Sequence, residues 1–440
     1  MKIMIDGYNL DLEKGTGIAT YARNLSYCLH SLGHEVAVLY GGRASPEISD
    51  LMREIIFFDN NAGDIPRWLR QLRAIHEIIY APFGYESAQI PITGTVISDT
   101  FKSRLPYFDS IWNSKDVFRR AHNAFGVLRR LGNLSTKYKP DIIHWTYPLP
   151  LTIKGSKNIY TLHDLVPLRL PYTTLDNKRR YLRLCRRIAE KADHIVTVSE
   201  ASRNDIINIL GVPPEKISNT YQAVTIPAKY KDKPIEVVKR EVEGTFGLSF
   251  KEYFLFFGSI EPKKNVGRLI EAYLGSGVET PLVIVGAQAW KSEQELRLLY
   301  DDHIRSLIQT GTETRVKRRI IQLGYAPFPL LVSLIRGAKA TLFPSLYEGF
   351  GLPVLESMLL GTPVLSSSVS SIPEVAGDAA CLINPYDTRE IAEAIRALDT
   401  KDELRAELAD RGIRRAKLFD EASYMKRLQG VYDWTMKAKS

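Results

Sequence analysis

Two glutamates flank a glycine-bearing loop in the C-terminal half of the chain. Glu348 and Glu356 have seven residues between them, and Pro353 suits the first position of a predicted helix. The start of that helix would present unpaired N–H groups and a partial positive charge, which suit the binding of a diphosphate. Gly349 and Gly351 let the backbone approach a ligand closely. The loop therefore indicates an anion-binding site with a carboxylate on either side.

Glu356 is an unusual residue for its place in this helix, because its neighbours Val354, Leu355 and Met358 are apolar. A carboxylate in such a setting needs a polar partner, and the hydroxyls of a sugar or a ribose would serve. The alternative is a structural glutamate that caps or pairs locally. In the N-terminal half, His163 follows an apolar run and is predicted to lie at a strand end facing a cleft, where a single histidine is more often structural.

Five segments of the chain resemble, in the same order, the motifs of glycosyltransferase family four, whose members have the GT-B fold. The most specific is the Glu348-x7-Glu356 element with Gly-Phe-Gly-Leu-Pro inside it, and the others are Gly15–Gly17, Thr161–Asp164, Val196–Arg203 and Gly258–Asn265. The resemblance covers most of the chain and is weakest over residues 50–135. It implies an α/β protein with two Rossmann-like domains facing each other across a cleft.

The resemblance implies a role for each matching residue. Lys264 would neutralise the donor diphosphate as it departs, Glu348 would bind hydroxyls of the transferred sugar, and His163 would bind the sugar or its phosphate and orient the acceptor. These three are the expected catalytic residues. The expected donor-binding residues are Gly15, Gly17, Ser199, Arg203, Ser259, Lys264, Glu348, Gly349, Phe350, Gly351, Leu352 and Glu356. Of these, Glu356 would bind the ribose, and residues 349–352 would act through their backbone amides.

Ser259 is a departure from the family pattern. Many members carry Arg or Lys directly after the glycine of the first strand of the C-terminal domain, and this chain has Ser259 after Gly258. One expected phosphate-binding cation is therefore missing. Either Lys264 together with Arg203 suffices, or the donor phosphates are held differently.

The reaction implied by the resemblance is hexosyl transfer with retention of anomeric configuration, assisted by the leaving phosphate. The two glutamates do not read as a glycosidase pair, since hydrolysis needs carboxylates facing each other across one bond, and here one precedes a helix and the other lies within it. No Asp-x-Asp metal motif appears where a divalent ion would be needed. We expect a nucleotide-diphosphate sugar as donor substrate, with no metal and no other cofactor.

Two turns in the N-terminal half bear on the donor. The segments His144–Pro150 and His163–Pro167 look most like mannosyltransferase-type members that build bacterial surface polysaccharides such as O-antigen. This favours GDP-mannose as donor and a glycan or lipid-linked oligosaccharide as acceptor. GDP-rhamnose and a UDP-hexose are the alternatives.

The elements that must position these residues alternate between strand and helix. Lys2–Asp6, a glycine turn, a helical pattern ending at Gly33 and Glu35–Tyr40 form a βαβ unit. Further strands are predicted at Ile142–Trp145, Asn158–Leu162, His194–Val198, Tyr253–Gly258, Leu282–Gly286, Ile320–Leu323, Ala340–Phe343 and Pro363–Ser366. With Ile226–Ile235 as linker, we expect an acceptor domain over residues 1–228 and a donor domain over residues 229–420. A helix over residues 421–440 would pack back toward the first domain.

The bulk properties are those of a globular protein with anionic partners. The formal charge is +9, and the three cysteines, Cys28, Cys185 and Cys381, are too far apart in sequence for metal-ligand spacing and indicate a reducing compartment. With no signal peptide or spanning segment evident, we expect a cytoplasmic location. An amphipathic helix over Ile111–Leu131 and the basic run Lys178–Arg187 favour peripheral contact with the inner face of an anionic membrane, or else ordinary helices with solvated basic faces.

The sequence also bears on three other classes of protein. A non-catalytic nucleotide-sugar-binding protein of the same fold is disfavoured because Lys264, Glu348, Glu356 and His163 are all present. An NAD-dependent oxidoreductase is disfavoured because Gly15 and Gly17 lie too far beyond the first strand and do not continue into Gly-x-Gly-x-x-Gly. Binding to nucleic acid is not expected, since no compact recognition module appears.

Overall fold

The computed structural model describes residues 1–10, 17–45, 47–59, 77–96, 105–289, 292–300, 306–310, 313–317 and 319–438. Two α/β domains, each built on a mainly parallel sheet, account for these residues, which confirms the predicted fold class. None of the described helices combines the length and apolar character needed to cross a bilayer.

The first sheet is made by ten strands of the described N-terminal residues. They are β1 (Lys2–Asp6), β2 (Glu35–Tyr40), β3 (Tyr85–Ile90), β4 (Ser110–Asn113), β5 (Gly132–Thr136), β6 (Ile142–Trp145), β7 (Leu151–Thr152), β8 (Lys157–Thr161), β9 (His194–Thr197) and β10 (Ile217–Asn219). Their order is β10-β9-β8-β6-β1-β2-β4-β3-β5-β7, and every pair is parallel except β3 with β4. The central strands are buried on both faces, as covered parallel strands are.

The second sheet is made by six strands of the described C-terminal residues, all parallel, in the order β15-β12-β11-β16-β17-β18. The strands are β11 (Phe254–Phe257), β12 (Leu282–Val285), β15 (Ile320–Leu323), β16 (Ala340–Phe343), β17 (Val364–Ser367) and β18 (Cys381–Ile383). A separate antiparallel hairpin pairs β13 (Ser306–Thr310) with β14 (Glu313–Lys317).

The helices connect these strands and cover the sheets. In the N-terminal half they are α1 (Gly17–Ser31), α2 (Asp50–Phe58), α3 (Val117–Leu128), α4 (Val166–Arg169), α5 (Lys178–Lys191), α6 (Glu200–Leu210) and α7 (Ala228–Lys231). They continue as α8 (Ile235–Phe246), α9 (Val266–Ser276), α10 (Ser292–Glu295), α11 (Phe328–Gly337), α12 (Leu352–Leu359), α13 (Ile372–Ala376), α14 (Thr388–Thr400), α15 (Asp402–Ala416) and α16 (Glu421–Lys437). Helix α1 illustrates how apolar residues at helical spacing form a helix, since Tyr21, Leu25 and Leu29 line its buried side. Gly33, with φ of +76°, follows the end of this helix.

The amphipathic helix predicted over Ile111–Leu131 is wrong at its start and on its apolar side. Residues 110–113 form β4, and Asp116, with φ of +53°, separates that strand from α3. The apolar side of α3 also packs inward, because Phe118 and Phe125 belong to the core. This helix therefore follows the ordinary core-packing alternative, with its basic residues facing outward.

Two smaller predictions also need correction. The linker Ile226–Ile235 contains the short helix α7, and α8 begins at Ile235. Helix α12 begins at Leu352, one residue before Pro353, and ends at Leu359. The predicted division between residues 228 and 229 stays a prediction.

The last helix contacts the first domain. In α16, the Tyr432 hydroxyl lies 2.6 Å from His144 Nδ1, and Gln429 Oε1 accepts a hydrogen bond from His34 Nε2 at 2.9 Å. Both histidines belong to the N-terminal half. The chain thus crosses back to its first domain after the second sheet is complete.

Candidate functional site

The loop predicted to bind the donor, residues 344–351 and called the donor loop below, connects β16 to α12 at the carboxyl edge of the second sheet. Gly351 has φ of +104°, and a Cβ there would lie 2.7 Å from Ile372 Cδ1, so both the turn and the packing require glycine. The Ser371 hydroxyl donates to the carbonyls of Glu348 and Phe350, each at 2.9 Å, and fixes the loop. Since the amides of residues 349–352 have no acceptor among the described residues, four N–H groups remain at the start of α12.

Lys264 and Glu348 form an ion pair at this loop. The Lys264 Nζ donates to Glu348 Oε1 at 2.7 Å, and both side chains are about nine-tenths buried. Burial alone would raise the pKa of Glu348, but Lys264 and Lys263 outweigh it and hold that pKa below its usual range. Asn265 holds Lys264 in place by donating to the carbonyls of Pro344 and Pro385 at 2.9 and 2.8 Å. The site is thus charged before any ligand arrives.

Glu356 lies on α12, close enough to Lys264 for that cation to affect its titration. Burial raises the pKa of Glu356 to about 7, against a smaller opposing effect of Lys264. Among the residues that the structure describes, none forms a hydrogen bond or ion pair with its carboxylate. In the folded chain, as in the sequence, this glutamate therefore needs a polar partner.

His163 follows β8 and lies at the opposite wall of the cleft. Its Nε2 is 3.0 Å from the carbonyl oxygen of Thr146, which can only accept, so Nε2 carries the proton. Burial lowers the pKa of His163 despite that hydrogen bond and the nearby Asp164, so the ring is neutral and Nδ1 is an acceptor. The Tyr21 ring packs edge-on against it at 4.7 Å.

The two walls meet at His163 and the donor loop. A Cβ on Gly349 would lie 2.9 Å from the carbonyl oxygen of His163, which explains the glycine. The Ser202 hydroxyl donates to that same carbonyl at 2.9 Å and to the carbonyl of Gly349 at 3.3 Å. The structure therefore brings His163, Lys264 and Glu348 to one place.

Ser199 and Arg203 have structural partners in this conformation. Ser199 caps α6 by accepting from the Ser202 amide, and Arg203 donates to the carbonyls of Ile217 and Pro214 at 3.4 and 3.0 Å. Glu374, from the other domain, accepts from the amides of Glu200 and Ala201 at the start of α6. The assignment of Ser199 and Arg203 to the donor stays a prediction.

The remaining predicted residues are placed as follows. Gly17 begins α1, and a Cβ there would lie 3.4 Å from Leu352, so it faces the donor loop. The Ser259 hydroxyl donates to Glu261 at 3.2 Å.

Phe350 is buried between Tyr221 and Phe419, so only its backbone can meet a ligand. Gly15 lies outside the described residues.

Sequence reasoning missed a cavity of about 250 Å³ beside His163. Its walls include Tyr147, Asp164, Glu261 and Lys263. Glu261 and Lys263 stand in the same segment as Lys264, so their positions were available as a signal. Their orientation into the cavity depends on how the two domains meet, which the sequence pattern does not specify.

The chemistry available here is the binding of an anion and of hydroxyl groups. Lys264 pairs with Glu348 in the segment that leads to the free amides at the start of α12, and Glu356 and neutral His163 lie nearby. Such fixed charges act strongly on charge that develops in a buried site. Among the described residues, no three His, Cys, Asp or Glu side chains are grouped as a metal site would need.

Two family models match the chain in succession. The model described as Glycosyltransferase Family 4 matches residues 97–225, and the model described as Glycosyl transferases group 1 matches residues 246–415. The second match contains the donor loop, Lys264 and both glutamates. The first contains His163 and its turn.

Several curated relatives are mannosyltransferases by name. O-antigen chain mannosyltransferase B of Escherichia coli is 33% identical over 291 residues, which cover 64% of this chain and 71% of that protein. O-antigen chain mannosyltransferase RfbU of Salmonella typhimurium is 27% identical over 333 residues, 74% of this chain and 80% of that protein. Serotype-specific mannosyltransferase WbdA of Escherichia coli is 28% identical over 306 residues, and the chain spans only 36% of its length.

Solved structures of similar fold cover the whole chain. Sucrose-phosphate synthase from Thermosynechococcus elongatus has a TM-score of 0.65 at 15% identity, covering 100% of both chains. Anabaena HepE in complex with UDP has a TM-score of 0.62 at 15% identity, covering 99% of this chain and 100% of that one. At such identities the likeness concerns the fold alone, which both share with this chain.

Proposed function

This chain belongs to glycosyltransferase family 4, and on that premise we propose that it transfers mannose from GDP-mannose to a glycan or lipid-linked acceptor in the assembly of a bacterial surface polysaccharide. The observation that carries the proposal is the Lys264–Glu348 pair, 2.7 Å long, before the start of α12, where the adjacent Gly349 packs against the His163 carbonyl. The pair places a cation that would bind the diphosphate next to a carboxylate that would bind the sugar.

The donor diphosphate would lie against the four free amides of residues 349–352 and beside Lys264. A helix start and a lysine together favour a bound anion. As the diphosphate competes for Lys264, the Glu348 carboxylate becomes available to hydroxyls of the transferred sugar. Glu356, which has no partner among the described residues, would accept hydrogen bonds from the ribose.

Transfer would proceed with retention. The acceptor hydroxyl attacks the anomeric carbon on the face from which the diphosphate leaves, and its proton passes to the departing phosphate oxygen. One carbon–oxygen bond forms as the other breaks, so the products are the mannoside and GDP. Lys264 stabilises the charge that develops on the leaving group, and neutral His163 orients hydroxyls through Nδ1.

The donor assignment is supported by the names of the relatives, several of which are mannosyltransferases. A UDP-hexose is the second candidate, because the HepE structure holds UDP. Incubation of the purified protein with GDP-mannose, GDP-rhamnose, UDP-glucose and UDP-galactose tests both, with donor binding and slow donor hydrolysis as readouts. GDP-mannose should be hydrolysed fastest. A preference for either UDP-sugar would contradict the donor assignment, and tight binding without turnover of any donor would favour a non-catalytic binding protein.

We also propose peripheral contact with an anionic membrane through helix α5. This helix carries six basic residues between Lys178 and Arg187, and Arg180 donates to the carbonyl of His122, which holds α5 against α3. Exposed apolar side chains accompany this basic surface, with Leu175 74% and Val127 61% exposed. Basic and apolar groups together are typical of proteins that lie on anionic lipid.

Vesicle sedimentation tests the membrane contact. The protein should bind vesicles containing phosphatidylglycerol at low salt and leave them at high salt, since exposed charge pairs are screened. Replacing Arg179 and Arg186, both exposed, by Glu should abolish binding, whereas the same change at Arg389 and Arg414 on the other domain should not. Absence of low-salt binding by the unaltered protein would refute the contact.

A further inference from the structure

The cavity beside His163 lies next to the donor loop but separate from it. Lys263 lines the cavity, and the next residue, Lys264, forms the ion pair with Glu348. The carboxylate of Asp164, another lining residue, is 3.0 Å from the position that a Cβ of Gly349 would take. A molecule in the cavity would therefore be adjacent to a sugar held by Glu348.

The size of the cavity suits one sugar ring. Its volume of about 250 Å³ falls below the roughly 300–1,000 Å³ of sites for drug-sized ligands. A nucleotide sugar would not fit in it. A single pyranose, entering from solvent along the cleft, would.

The polar groups of the cavity suit neutral hydroxyls. Glu261 is 7% exposed, accepts from Ser259 at 3.2 Å and lies 3.6 Å from Lys263 Nζ. Asp164 Oδ1 accepts from the Val166 amide at 3.1 Å. Each carboxylate has further lone pairs to offer, whereas Lys263 can donate. Two carboxylates against one lysine and a neutral histidine would repel a phosphorylated ring.

One wall offers an aromatic face. Tyr147 lines the cavity, and its ring is stacked on that of Tyr8, with centroids 5.6 Å apart and planes at 25°. That stacking limits the rotation of the Tyr147 ring. Ile18, Pro148 and Pro167 add apolar surface around it. An aromatic face beside carboxylates matches a pyranose, which has apolar C–H faces and a polar hydroxyl edge.

We propose that this cavity binds the terminal neutral hexose of the glycan acceptor, with Asp164 and Glu261 accepting from its hydroxyls and Tyr147 packing on its ring. This inference rests on the proposed function, because it takes the neighbouring site to hold the donor. It assigns acceptor recognition to residues from both domains. The sugar at the reacting end of the acceptor is then uncharged, and any lipid phosphate of the acceptor lies outside the cavity.

The experiment compares Tyr147→Ala, Glu261→Gln and Asp164→Asn with the unaltered enzyme, using GDP-mannose and methyl α-mannopyranoside. Glu261→Gln and Asp164→Asn should each raise the KM for the mannoside about tenfold, the effect of losing one hydrogen bond to a charged group. Tyr147→Ala should raise it by a similar factor of about ten, because the sugar loses its apolar contact with the ring. The GDP Kd, measured by calorimetry, should change less than about twofold. Retained GDP binding also shows that the variant has folded. Mannose 6-phosphate should serve at least about tenfold worse than the neutral mannoside. Matched controls are Tyr325→Ala, 80% exposed, and Glu215→Gln on the surface.

Equal acceptor KM values for all three cavity variants and the unaltered enzyme would overturn the inference. A rise of similar size in the acceptor KM and in the GDP Kd would also overturn the inference, because the cavity would then bind the donor. If the unaltered protein turns over no nucleotide sugar, the proposed function fails, and saturation-transfer NMR still tests the cavity. The inference is supported if methyl α-mannopyranoside contacts the GDP-loaded protein and this contact is lost in Tyr147→Ala. A contact that is unchanged in Tyr147→Ala would overturn the inference.

Discussion

The two walls of the cleft use their charged side chains differently. On the C-terminal wall, Lys264 and Glu348 pair with each other beside free amides, and Glu356 has no partner among the described residues. On the N-terminal wall, Arg203 binds carbonyls of its own domain, and Glu374 of the other domain satisfies the start of α6. Lys264 and Glu348 thus lie at the predicted donor site, whereas Arg203 and Glu374 stabilise the N-terminal fold and the domain contact.

The ion pair at the predicted donor site is therefore made within one domain, whereas the cavity beside His163 is lined by both. Lys264 and Glu348 lie in one domain, where Asn265 and Ser371 fix their segments. The other domain adds hydrogen bonds to the same loop, from Ser202 to the carbonyl of Gly349 and from Tyr347 to Asp205. The cavity beside His163 draws Asp164 from one domain and Glu261 from the other. Changes on the donor side should therefore affect chemistry, and changes at the contact should affect assembly of the site.

Lys264→Ala should have the largest effect. Loss of the fixed cation should lower kcat by about 10²–10³, as removal of one group that stabilises developing charge does. It also leaves buried Glu348 unpaired, at a cost of about 3–5 kcal/mol in stability, which a denaturant titration would measure. Lys239→Ala, an exposed lysine of the same domain, is the control and should retain full activity. A kcat within twofold of the unaltered enzyme would remove Lys264 from the chemistry.

Glu348→Gln should come next, with kcat reduced by about tenfold to a hundredfold. The amide keeps the size of the side chain but loses the charge-assisted hydrogen bonds to sugar hydroxyls. Steady-state rates at saturating donor measure this. Glu393→Gln, at an exposed ion pair of the C-terminal domain, is the matched control. If the KM for the acceptor alone changed, Glu348 would belong to the acceptor side and the division between the walls would be wrong.

Glu356 should make both stability and nucleotide binding depend on pH. Its folded pKa of about 7 exceeds its usual value of 4.5, so its stabilising contribution is complete below pH 4.5 and is lost as pH rises through about 7. The Tm of Glu356→Gln, relative to the unaltered protein, should therefore rise between about pH 5 and about pH 8. A constant Tm difference across this range would contradict the burial of an uncompensated carboxyl.

The same glutamate predicts that GDP binds more weakly below neutral pH. The ionised carboxylate is the better acceptor for ribose hydroxyls, so the GDP Kd of the unaltered protein should rise several-fold from about pH 8 to about pH 6. Calorimetry on Glu356→Gln should give a weaker Kd, by about tenfold at the higher pH, with a flatter pH dependence. Identical pH profiles for both proteins would place the ribose elsewhere.

Glu374→Gln should have the smallest effect and should act on the contact between the domains. The variant weakens two hydrogen bonds to the start of α6, whose dipole favours a negative charge by about 0.3–1 kcal/mol. We expect a Tm lower by a few degrees and a kcat within about threefold of the unaltered enzyme. Glu407→Gln on the surface is the control. A loss of kcat as large as that of Lys264→Ala would mean that the two walls cannot be treated separately.

The sequence predicted best what is local in the chain. The strand–loop–helix around Glu348 and Glu356, and the turn that carries Lys264, each lie within one short segment, so their pattern indicates their geometry. The predicted strands agree with the structure to within one or two residues at β1, β2, β6, β8, β11, β12 and β15–β17.

The sequence could not predict features that depend on distant partners or on a single backbone angle. Asp116, in a left-handed conformation, separates β4 from α3 and so interrupts the apparent helical periodicity of residues 111–131, and nothing in its residue type requires that angle. The capping of α6 by Glu374 joins residues about 170 positions apart. The cavity likewise needs both domains in place. These are consequences of tertiary contact.

The most direct test of the donor site is a crystal structure of the chain with GDP-mannose bound. We expect the diphosphate within hydrogen-bond distance of Lys264 Nζ and of amides in residues 349–352, with the mannose against Glu348 and the ribose against Glu356. A diphosphate held on the N-terminal wall by Arg203, with Lys264 still paired to Glu348, would contradict this expectation.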